Sequence, residues 1–122
     1  MTLSVSTQVN PIGTSLIIQD NATNVADNNI TGAPATLYMI DIDNTAIVAA
    51  SYVKLYNAVA PTVGTTDPDW IIMIPGLTRR AVAIPEGVLF SVGLSMACVT
   101  AGGTSGVLPP FGGSVVVRML TS

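Results

Sequence analysis

Apolar and polar residues alternate in short bursts along this chain, and Gly, Pro, Asn or Asp closes each burst. Ser51-Tyr52-Val53-Lys54-Leu55-Tyr56-Asn57 is the cleanest. Side chains on a strand point alternately to opposite sides, so Tyr52, Lys54 and Tyr56 share one face and Val53 and Leu55 the other. The same period runs through 94–100, with Leu94, Met96 and Cys98 inward. Further strands are predicted over 14–19, 36–42, 79–84, 88–91 and 115–120. The run Trp70 to Pro75 is apolar on both faces, as in a strand held between two layers or between one layer and a partner. Pro85-Glu86-Gly87 reads as a tight turn between two of these strands. Thr45 to Ala50 is too short for more than one helical turn. About eight strands without a credible helix predict an all-β fold: a single-domain, antiparallel, jelly-roll-like β-sandwich. Its predicted core is Leu37, Met39, Val53, Leu55, Ile72, Ile74, Leu94, Met96, Val115 and Val117.

The domain is expected over 13–122, preceded by an extended arm over 1–12 with weakly alternating Leu3, Val5 and Val9. Such an arm suits pairing with a neighbouring subunit. Three polar or Gly/Pro-rich stretches read as loops: 20–34, 58–69 and 101–114. The first is long for a compact domain and suggests contact with something outside the fold. The last, a flexible loop by composition, carries Leu108 and Phe111.

Composition sharpens this picture. Charged residues are 9% of the 122, histidine is absent, and mean hydropathy is +0.62. An ordinary soluble domain carries about a quarter charged residues. A surface this poor in charge is expected to be covered by copies of itself or by another protein. Lys54, Arg79, Arg80 and Arg118 are too few and too scattered to neutralise phosphates, which argues against nucleic acid and an anionic membrane as partners. No apolar run reaches the about 20 residues of a membrane-spanning helix. The first residues do not read as a signal peptide, and the single Cys98 suits assembly in a reducing cytosol.

Chemistry has few candidates. Without histidine, the bases available to a Ser or Thr nucleophile are Lys54 and seven carboxylates, and the expectation is not an enzyme. Asp41 with Asp43, and Asp67 with Asp69, have a spacing that could place oxygens around a hard cation. Asp and Asn also end strands by bonding nearby backbone, and that reading is preferred, with no metal or cofactor expected. Trp70 reads either as core or as an anchor between subunits. Arg79 and Arg80 point to opposite faces of a strand, so at least one of them could meet a carboxylate such as Asp67 or Glu86, of the same or another subunit. Tyr52 and Tyr56, straddling Lys54, read as a carbohydrate or interface platform, or as ordinary packing. Candidate interface residues are therefore Leu3, Val5, Val9, Trp70, Arg79, Arg80, Leu108 and Phe111.

The strand Ser51-Tyr52-Val53-Lys54-Leu55-Tyr56-Asn57 runs into Ala60-Pro61-Thr62-Val63-Gly64-Thr65-Thr66. An apolar strand follows, and then Phe90-Ser91-Val92-Gly93-Leu94-Ser95-Met96-Ala97. Over roughly 36–122 this succession resembles small structural proteins of tailed bacteriophages, mostly of marine and freshwater hosts. The resemblance implies a jelly-roll-like sandwich, a place in the virion and a trimer, with assembly in the host cytoplasm. Its members serve as capsid decoration (cement) proteins on a major capsid protein, or as tail, baseplate and fibre modules that touch tail proteins or host glycans. Decoration of the capsid is the first expectation, since a cement protein needs apolar contacts and no active site.

Overall fold

The structure, a computed structural model that describes residues 15–122, has seven strands in two antiparallel sheets. The strands are β1 (Ser15–Gln19), β2 (Ala35–Asp43), β3 (Ser51–Asn57), β4 (Trp70–Ile74), β5 (Arg79–Phe90), β6 (Leu94–Val99) and β7 (Val116–Thr121). One sheet has the order β1-β7-β2-β5 and the other β4-β3-β6. Among the named strands, every link except β1–β2 and β3–β4 carries the chain from one sheet to the other. The segment 20–34 also lies along β6, through an Asp27–Met96 bridge and bonds from Ile30 N to Leu94 O and from Cys98 N to Thr23 O. It thus fills an eighth strand position, and with it the interleaved order is that of a jelly roll.

Leu37, Ile40, Ile42, Val53, Leu55, Ile74, Leu94, Met96, Val115, Val117 and Met119 form the buried core between the sheets. Two sequence expectations fail here, both because of bulges. Met39 is only half-buried, and Ile40 and Ile42 take the inward places. The register of β2 shifts between Leu37 and Met39, so Tyr38 is an extra residue and alternation changes face. Opposite it, Ile84 to Gly87 bulge within β5, since Ala83 pairs with Met39 and Val88 with Leu37. The predicted turn at Pro85-Glu86-Gly87 is therefore a bulge inside one long strand, and eight predicted strands become seven. Gly87 has φ +76°, and an added Cβ would strike the Thr36 and Tyr38 side chains, so glycine is what lets this bulge lie flat. Ile72 is half-buried against the core rather than fully inside, and Thr45 to Ala50 forms turns without a helical turn.

Candidate functional site

The two sheets present very different outer faces. Tyr52, Lys54 and Tyr56 do share the outer face of β3, but loops cover it. Lys54 and Tyr56 are fully buried, beside Ser95, Ala97 and Val99 of β6. Lys54 Nζ donates to the carbonyls of Thr104 (3.2 Å) and Gly106 (2.8 Å), which ties the 101–114 loop down over the sheet. Gly102 sits against the Tyr52 ring, Gly64 against Val107, and Thr104 Oγ1 donates to Asp67. Burial lowers the Lys54 pKa and raises that of Tyr56. The tyrosines are thus packing, not a platform, and the loop read as flexible is a lid closed by the chain's own lysine.

The outer face of the β1-β7-β2-β5 sheet has no such cover among the described residues. Its rows follow from the strand register: Leu16, Leu120, Met39 and Ala83 lie side by side, then Ile18, Arg118, Asp41 and Ala81, then Val116, Asp43 and Arg79. Leu16 and Ile18 are 63% and 55% exposed, and Ala81 and Ala83 are exposed as well. Above the bulge the face continues into exposed Leu89, which pairs with Thr36. It is an apolar surface four strands wide with an ionic group at its centre.

That group is Asp41 held between two arginines. Asp41 is only 7% exposed. Arg79 Nε donates to both its oxygens at 3.1 Å, Nη2 adds a further bond, and Arg118 Nη1 lies 3.9 Å away. Hydrogen bonding to Asp41 raises the Arg79 pKa. The Thr45 hydroxyl and amide donate to Asp43 and hold its carboxyl below the usual range, with Arg79 adding to the effect. Asp41 and Asp43 share a face as their spacing predicted, but guanidinium groups already balance them. The local turn bond preferred above is the one from Thr45 N to Asp43. Asp69 instead accepts from Asn57 N at 2.6 Å and Asp67 from the Thr104 hydroxyl, both distant in sequence. The acidic partner of Arg79 is Asp41, not Asp67 or Glu86.

The candidate interface residues do not gather on one surface. Arg79 lies on the open face. Arg80 points the other way and donates to Met73 O, joining the edges of the two sheets. Trp70 is half-buried and packs against the core. Leu108 is exposed on the covering loop, and Phe111 is exposed beside Val48 in an apolar cleft of about 330 Å³. Leu3, Val5 and Val9 lie outside the described residues. A second cleft, of about 280 Å³, opens between β1 and 27–30, where the Gln19 amide donates to both oxygens of Asp27. Sequence reasoning missed Leu16, Ile18, Ala81, Ala83 and Leu120 as one surface. Their alternation was visible only in part, because Ile17 between the first two is also apolar. No helix among the described residues is long and apolar enough to cross a membrane. The chain matches no protein-family model, and no curated protein is similar enough to match it.

Proposed function

We propose that this chain is a non-enzymatic virion structural protein, a capsid decoration protein that stabilises the shell by self-association and apolar contacts. The difference between its two outer faces carries this reading. One sheet is roofed by the chain's own loops, at the cost of burying a lysine, while the other keeps a broad apolar face uncovered by any of the described residues. Isolated exposed apolar residues are ordinary, but a contiguous patch marks a contact surface. The low charge content, 9% of the chain, supports the same reading. The resemblance to phage structural proteins supplies the place of assembly, with the major capsid protein as the partner. Weak contacts suffice there, because many copies on one particle act together.

The test is the number of copies per particle, measured by quantitative mass spectrometry on virions purified from cells that carry the gene. Hundreds of copies are expected. Tens or fewer would move the protein to the tail, baseplate or fibre. A chain absent from particles and monomeric in solution would overturn the reading.

A further inference from the structure

We infer that the occupant of the open β1-β7-β2-β5 face is a second copy of the same chain, packed face to face about a two-fold axis that runs along the strands between β7 and β2. The inference rests on the assembly reading above and adds a partner and a symmetry to it. The two edges of the face differ in side-chain size: Leu16 and Ile18 stand on β1, and Ala83 and Ala81 stand on β5 in the same two rows. An axis along the strands turns β1 of one copy onto β5 of the other. Ile18 then stands over the partner's Ala81, and Leu16 over the partner's Ala83. Bulky residues meet the shelf made by small ones, as packed sheets require.

The charges choose the same axis. An axis across the strands, through the row of Arg118, would lay each Arg118 on its own copy. The axis along the strands instead sets Arg118, 36% exposed in its side chain, over the column that holds the partner's Asp41 and Asp43. The group of Asp41, Asp43, Arg79 and Arg118 has two charges of each sign, so a second copy covers it without burying net charge. A strongly acidic or basic partner would not. Four strands about 4.8 Å apart and seven residues at about 3.3 Å give about 450 Å² of flat area per copy. That is roughly half of a standard interface side, so the free pair is expected to be weak. The contact is isologous and closes a pair; the trimer implied by the resemblance would need a different surface.

The test uses the full chain with two cysteines, Ile18→Cys and Ala81→Cys. Within one chain these positions are three strand spacings apart, about 14 Å, beyond a disulfide or a short bismaleimide. Cys98 is buried and does not compete. Cross-linking at high micromolar concentration is expected to give a covalent dimer joined 18 to 81. Separately, Ala81→Arg should raise the dissociation constant measured by sedimentation at least about tenfold. Val25→Arg, on an exposed loop position of the roofed sheet's edge, should leave it unchanged. Association that persists in Ala81→Arg, with no 18-to-81 product, overturns this pairing and leaves self-association standing. A chain that stays monomeric up to about 1 mM removes both.

Discussion

At the scale of single residues, Cys98 shows how burial becomes a pH dependence. Its side chain is fully enclosed, and that burial pushes the thiol up to about 12 from 9.0, opposed only by a bond from Ser51. In the unfolded chain the thiol ionises from about pH 9, while the folded chain keeps its proton to about pH 12. The folded state therefore binds more protons in this window, and stability falls as pH rises through it. The loss approaches about 1.4 kcal/mol per pH unit from this one group. Urea melts of the parent chain and of Cys98→Ala at pH 8, 9.5 and 10.5 should show a shallower alkaline decline in the variant, whatever its stability at pH 8. Parallel declines would mean that the thiol is not held protonated. Gly76 illustrates a different constraint: an added Cβ would lie 1.8 Å from Val48 O, so the turn after β4 has room for nothing larger.

At the scale of elements, the lid over β3 depends on one side chain. Replacing Lys54 by Met removes a buried charge and also strands the carbonyls of Thr104 and Gly106. An unpaired acceptor costs about 1–3 kcal/mol when fully buried. These two lie on half-buried residues, and the lost charge offsets part of the cost. Lys54→Met should therefore lower stability by about the lower end of that range. Amide exchange should rise within 101–108 and remain slow in β3 and β6. Uniform loosening, or none, would show that other contacts hold the lid. Such elements also mark how far the sequence was legible. Strand positions and most of the core followed from alternation, because a half-buried strand must alternate. The change of face at Tyr38 did not, since Tyr38-Met39-Ile40 is apolar throughout and either phase satisfies the pattern. Pro85-Glu86-Gly87 misled because a turn and a bulge ask for the same residues. The covering of Tyr52 and Tyr56 was out of reach, because it is made by residues some 50 positions later, as the bond from Lys54 to Thr104 shows. For the same reason the open face could not be read. It became visible only once register placed Leu16, Arg118, Asp41 and Ala81 on one sheet.

At the scale of the whole molecule, the position of β7 governs more than architecture. It lies between β1 and β2, so β1 touches the sheet only through it. Ser15 pairs with Thr121, about a hundred residues later, and topologies built on such distant pairs fold in milliseconds to seconds rather than microseconds. Stopped-flow refolding followed by Trp70 fluorescence should fall in that slow range, and a main phase faster than a millisecond would contradict it. In the cell the delay is longer still. At about 5–20 residues per second, a ribosome takes about 5–20 s to pass from β1 to the end of β7. Throughout that time Leu16, Ile17 and Ile18 hang from the nascent polypeptide without their mate. Until β7 arrives, that strand offers a bare apolar edge to any neighbouring chain, so the interval before pairing is when this topology is most open to aggregation.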